Sequence, residues 1–351
     1  MKRFRNLFLV MVVAALALSA VGVAVAQDAV TVQLGPITQR VIERGRLVCG
    51  VNSTLPGFGF PNDAGEYEGF DVDVCRAVAA AILGDASAVD YRPITAAERP
   101  TVLQSGEVDM ISRNTTWTLS RDTEWGAIFA PTTFYDAQGI MVYAETGIGD
   151  LAGLEGGIIC TNAGTTTELN ITDAMGSAGL EFELLTFENF DAVMATFRDG
   201  GCDAVTSDIS GLASRRAAEP DPGALSILDL ELSKEPLGPL SPQSDPQFAD
   251  IIRWTIYGLI QAEEFGITSA NVSEFMTSED PAVQRFLGVG ENRAGVLLGI
   301  SNDFIVTVIT QVGNYGEVFE RNIGVDTPFG LARGLNDLWT NGGLQYSPPF
   351  R

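Results

Sequence analysis

Twice along the chain the same order of local signals occurs. Thr101 to Asp109 and Ala195 to Asp203 each pass from a helix end through a Gly turn into an apolar strand start that carries Asp. This weak repeat predicts that one α/β arrangement is built twice. Each copy leads to a polar end, Asn114 to Thr116 after the first and Thr206 to Asp208 after the second. Ligands of open α/β sheets gather beyond the carboxyl ends of the strands, so these ends are the candidate contacts. At the turns, Asp109 and Asp203 are expected to bond local N–H groups. Asp208, at the far end of its strand, is better placed for chemistry.

The first copy continues to Trp125. A short apolar strand from Val108 to Ile111 gives way to Asn114, Thr115, Thr116, Thr118 and Arg121. A planar guanidinium matches a carboxylate bidentately, with hydroxyls and backbone N–H groups completing the shell. Taken alone, the stretch is equally compatible with a capped loop whose Arg121 makes a surface ion pair. Between the copies, a strand from Gly157 to Cys160 is followed by Gly164 and Thr165 to Thr167, with a helix expected from about Glu168. A helix start of this kind suits an anion, although ordinary Thr capping explains the run by itself. The Lys and second Gly of a P-loop are missing. The loop from Asn52 to Phe70 faces the same crevice. Phe58 or Phe60 there could cover a ligand's apolar part, but such residues more often pack under their own loop. Asp71 is the expected N-cap of the next helix.

Lys2, Arg3 and Arg5, the apolar run Leu7 to Leu18 and Ala24-Val25-Ala26 read as a cleaved signal peptide over 1–26. Losing those three bases takes the net charge from −24 to −27, which repels nucleic acid and anionic lipid. With no His in the chain, imidazole catalysis and His-based metal sites are excluded. No cofactor is implied. Four Cys in an exported chain suggest two disulfides, and sequence allows three pairings. Cys49 lies in a strand expected at Leu47 to Val51. Cys75 lies on the apolar helix face Cys75, Val78, Ala79, Ile82, Leu83. Cys160 ends one strand and Cys202 begins another, so the expected pairs are Cys49 with Cys75 and Cys160 with Cys202.

Together these motifs resemble the periplasmic solute-binding proteins of polar amino-acid ABC importers. The resemblance runs from Arg46 to about Gln261, through Leu47 to Val51, Gly69 to Asp73, Leu103 to Asp109, Thr118 to Arg121, Gly164 to Thr166 and Asp203 to Asp208. Ser112 to Arg121 and the tail Gln311 to Arg321 are similar to the general L-amino-acid binding subgroup. That resemblance implies an α/β, two-lobed periplasmic-binding-protein fold (type II), two α/β sheets joined by a two-segment hinge. Lobe one is expected at 27–140 and 240–351, lobe two at 141–239, with crossings near 138–144 and 232–240. Beyond the helix carrying Phe248, Ile251, Ile252, Ile256, Leu259 and Ile260, further helices are expected at Asn302 to Gly313 and Phe329 to Thr340.

The resemblance also implies Arg121 and Thr116 on the α-carboxylate of an L-amino acid, Thr166 reaching it from lobe two, Asp208 on the α-ammonium and Asn114 assisting through its carbonyl. Small residues near Ala96, where many relatives place an aromatic, fit a permissive pocket. The implied partners are free L-amino acids and inner-membrane ABC permease subunits, served by a monomer. The same fold also hosts dehydratase-like enzymes acting on small carboxylic acids, in which Asp208 or Glu98 would act as acid or base.

Overall fold

The computed structural model describes residues 32–351, so the expected signal peptide lies outside the described residues. The chain runs α1 (Pro36–Arg44), β1 (Leu47–Val51), α2 (Phe70–Leu83), β2 (Val89–Pro93), α3 (Arg99–Gln104), β3 (Met110–Ile111), α4 (Leu119–Glu124), β4 (Ala127–Phe129) and β5 (Phe134–Tyr143). It continues through β6 (Ile158–Asn162), α5 (Thr166–Ala178), β7 (Glu183–Phe187), α6 (Phe190–Arg198), β8 (Ala204–Asp208), α7 (Ile209–Ala218), β9 (Leu225–Ile227), β10 (Lys234–Leu237) and β11 (Leu240–Pro242). Then come α8 (Pro246–Glu264) and, among the later helices, α9 (Phe304–Val312) and α10 (Tyr315–Asn322).

Two sheets result. The first has the order β2-β1-β3-β11-β4, with β1 parallel to both neighbours; the second has the order β9-β5-β8-β6-β7, with β10 paired to β5. Both are mixed sheets: β11 returns to the first antiparallel to both of its neighbours, and in the second β5 runs antiparallel to β8. The two repeat copies do equivalent work. Asp109 accepts from the Val48 N–H of β1 at 2.8 Å, and Asp203 from the Ile158 N–H of β6 at 2.7 Å. Each ties a parallel strand of its own sheet, and Arg40 and Arg44 complete the shell of Asp109.

The helix start at α2 shows why the sequence folds this way locally. Gly69 has φ +127°, and a Cβ there would sit 2.3 Å from the Phe58 carbonyl oxygen, so only Gly fits. Gly69 is therefore the N-cap and Asp71 lies inside the first turn. The Asp71 carboxylate does not cap the helix; it accepts the Asn114 N–H at 2.8 Å. Cys49 is bonded to Cys75, and Cys160 to Cys202.

The chain passes between the sheets from Phe129 to Phe134 and from Leu237 to Leu240. The first passage lies upstream of 138–144, because residues 134–143 form one unbroken strand. Residues Tyr315 and Phe319 of α10 join the large core around α2 and α8, as do Phe304, Val308 and Ile309 of α9. The helix expected over Phe329 to Thr340 does not form. Pro328 precedes it, Gly330 and Gly334 take φ +62° and +50°, and only two single 3-10 turns remain. This tail and α10 are instead fastened to the first passage and the start of β5. Tyr315 Oη donates to the Thr133 carbonyl at 2.8 Å, and the Asn336 side chain bonds both the N–H and the carbonyl of Tyr135.

Candidate functional site

The carboxyl ends of β3, β6 and β8 face one another across a cleft holding about 420 Å³ of empty space. Five of the sequence-predicted residues line it: Arg121, Thr116, Asn114, Thr166 and Asp208. Arg121 is set by its own helix start, where the Thr118 hydroxyl accepts the Arg121 N–H at 3.3 Å. Its guanidinium donates to the Thr116 carbonyl at 3.0 Å and lies 5.2 Å from the centre of the Trp125 ring. Thr166 is the first residue of α5, whose N-cap is Thr165. Its position leaves the N–H of Thr166 without an intrahelical acceptor. Asp208 ends β8 and accepts from Asn114 Nδ2 at 3.1 Å.

Phe58 is not part of the cleft. It is 1 % exposed and packs edge-on against Phe70 and Phe134, where burying a whole ring in the core outweighs any use at the surface.

Three further arginines line the cleft: Arg99, Arg113 and Arg215. Arg99 donates to the Ala96 carbonyl at 2.8 Å and to Thr115 Oγ1 at 3.2 Å, and it shares Trp125 with Arg121. Arg215 lies 3.6 Å over the Phe190 ring, and Arg113 donates to the Ile94 carbonyl at 3.0 Å. Aromatic faces and carbonyl dipoles offset part of the desolvation of these cations. Burial still pulls Arg113 down to about 10 and Arg215 down to about 9, against the opposing pull of Asp71 on the first and of Asp208 on the second. Arg99 is likewise lowered, by burial and by its like-charged neighbours Arg121 and Arg113.

The acidic groups move the other way. Burial raises Asp71 to about 6. It also raises Asp208, with the Glu235 carboxylate adding to the shift and Asn114 opposing it. Asp136 is partly exposed as a residue, but its carboxylate bonds the buried Ser210; burial and Asp208 raise it as well. Glu235, 1 % exposed on β10, accepts from Thr116 Oγ1 at 2.5 Å and Thr166 Oγ1 at 3.0 Å on one oxygen. Its other oxygen accepts from Asn170 Nδ2 at 2.9 Å and Ser233 Oγ at 2.5 Å. The cleft thus confronts four arginines with Asp208, an arrangement suited to a small molecule bearing both charges.

Arg99, Arg113, Arg215 and Glu235 escaped the sequence reading. Glu235 stands in Ser233-Lys-Glu-Pro236, which reads only as a break between elements. The available signal was at Arg113, which closely follows a strand end that already carried cleft residues.

Known proteins resemble this chain along most of its length. Residues 47–264 match the bacterial extracellular solute-binding proteins, family 3. The chain belongs to that family. Over 334 residues it is 48% identical to the general L-amino acid-binding periplasmic protein AapJ of Rhizobium johnstonii, covering 95% of this chain and 98% of that one. It is also 48% identical, over 88% of this chain and 91% of the other, to the glutamate/glutamine/aspartate/asparagine-binding protein BztA of Rhodobacter capsulatus. Among solved structures, an ABC transporter periplasmic binding protein from Brucella ovis with glutathione bound superposes with a TM-score of 0.87 at 48% identity, covering 90% of this chain and 99% of that one. In this solute-binding protein the two sheets are accordingly the centres of two lobes. Among the described residues no helix is long and apolar enough to cross a membrane.

Proposed function

We propose that this solute-binding protein captures free L-amino acids in the periplasm and delivers them to the permease subunits of an ABC importer. The observation that carries the reading is the meeting of Arg121 and Asp208 in one cleft, between strand ends of different sheets. A zwitterion supplies the acid for the guanidinium and the ammonium for the carboxylate, charges costly to leave buried and unpaired. Arg121 holds the α-carboxylate together with the N–H of Thr166, and Asp208, positioned by Asn114, holds the α-ammonium. Only the closed arrangement offers both sets of contacts, so ligand favours closure about the two passages between the sheets. Ala96 on the cleft wall leaves side-chain space and supports broad specificity.

The site reads as binding rather than catalytic. Asp208 is committed to Asn114, and Glu98 is turned to the Thr95 N–H at 2.7 Å, outside the group that meets the zwitterion. A specific feature favours a larger ligand as well. Asn52 and Arg113 also line a second, more open chamber of about 690 Å³, into which the side chain of a γ-glutamyl peptide such as glutathione would extend. Calorimetry with the twenty L-amino acids and glutathione tests both readings. Several amino-acid classes should bind without turnover. Binding of one amino acid alone refutes broad specificity, and conversion of any ligand moves the protein to the enzymes.

A further inference from the structure

Glu235 is a buried carboxylate that the zwitterion does not use. It lies behind the cleft wall, where Thr116 and Thr166, on opposite sides of the cleft, both donate to the same oxygen of it. A threonine hydroxyl carries one proton and two lone pairs. With both protons turned to Glu235, the two hydroxyls, 3.3 Å apart, offer only lone pairs to the ligand. An incoming carboxylate then meets repulsion. The alternative is that it draws the protons away and strips a buried anion of two of its donors.

We propose that Glu235 fixes the polarity of the Thr116 and Thr166 pair, making it an acceptor surface and so a determinant of which ligands the cleft admits. This rests on the amino-acid reading above. The ligand's acid is then gripped by the Arg121 guanidinium and the free N–H of Thr166, while the hydroxyls receive donors: ammonium or amide N–H groups. A ligand whose acid is replaced by a carboxamide should therefore be tolerated better than a guanidinium alone would allow. Glu235 is a positioning residue, acting through the two threonines.

The substitution Glu235→Gln reverses the polarity by a specific route. Asn170 and Ser233 donate to one end of the side chain, which selects the Gln carbonyl oxygen there. The Gln NH2 then faces Thr116 and Thr166 and turns their protons into the cleft. The test compares the tightest amino acid of the panel with its α-carboxamide, on wild type, Glu235→Gln and Glu235→Leu, with thermal melting as a control. The acid-to-amide affinity ratio should rise about tenfold in Glu235→Gln, roughly one charge-assisted hydrogen bond. It should rise less in Glu235→Leu, which frees the hydroxyls without reversing them. A purely structural Glu235 would move both affinities together. An unchanged ratio in whichever variant melts like wild type overturns the proposal. Failure of the wild type to bind any amino acid overturns the functional reading instead, so the two failures are distinct.

Discussion

Lowering the pH from 8 to 5 should stabilise the unliganded protein while weakening its hold on ligand. The window is unusually clean, because the chain has no His. The buried carboxylates of the cleft are left to titrate there. Asp71 is raised from 3.8 to about 6, and Asp208 and Asp136 are raised by the same burial. A carboxyl with a raised folded-state value binds protons more readily folded than unfolded. Its stabilising contribution is complete below the unfolded value and is lost as the pH climbs through the folded one. For Asp71 the full loss at pH 8 is on the order of 3 kcal/mol, of which roughly 1 kcal/mol returns by pH 5. Asp208 and Asp136 add in the same direction.

Affinity runs the other way, because the ammonium requires Asp208 ionised. The association constant should fall as the pH drops below the raised value of Asp208, approaching about tenfold per pH unit. Scanning calorimetry of the unliganded protein and titration calorimetry with one amino acid, both at pH 8, 7, 6 and 5, measure the two curves. A melting temperature that is flat or falling toward pH 5 refutes the assignment of these raised carboxyls. Affinity independent of pH refutes the role of Asp208.

Two other outcomes are expected. Arg121→Ala should weaken every ligand of the panel by about 2–5 kcal/mol, the usual cost when one member of a buried charged pair is removed, read by titration calorimetry. Gly164→Ala should reduce affinity and melting temperature together. Its φ of +71° disfavours a side chain, and the new Cβ would lie 3.3 Å from the Ala97 Cα across the cleft. An unchanged dissociation constant would show that these two segments do not close on each other.

What the sequence revealed, it revealed through local order. The strand Leu47 to Val51 and the polar ends at Asn114 to Thr116 and at Asp208 follow from turn, capping and periodicity signals close by in sequence, as does the helix after Gly164, which begins at Thr166 rather than near the expected Glu168. The buried arginines do not, because nothing local distinguishes Arg99 or Arg215 from a solvated helix charge. Their burial depends on Trp125 and Phe190, partners brought near only by the fold. Phe58 misled for the complementary reason: a loop aromatic points wherever the core has room. The tail beyond Phe329 carried scattered apolar residues, but Gly330 and Gly334 decided against a helix.

The two disulfides have a mechanical consequence. Cys49–Cys75 staples a strand of the first sheet to the helix beside it, and Cys160–Cys202 staples β6 of the second sheet to the turn that leads into β8. Neither covalent loop straddles the mouth of the molecule. Oxidation in the export compartment therefore hardens each jaw separately, and the bite itself stays governed by forces weak enough to be undone when cargo must leave.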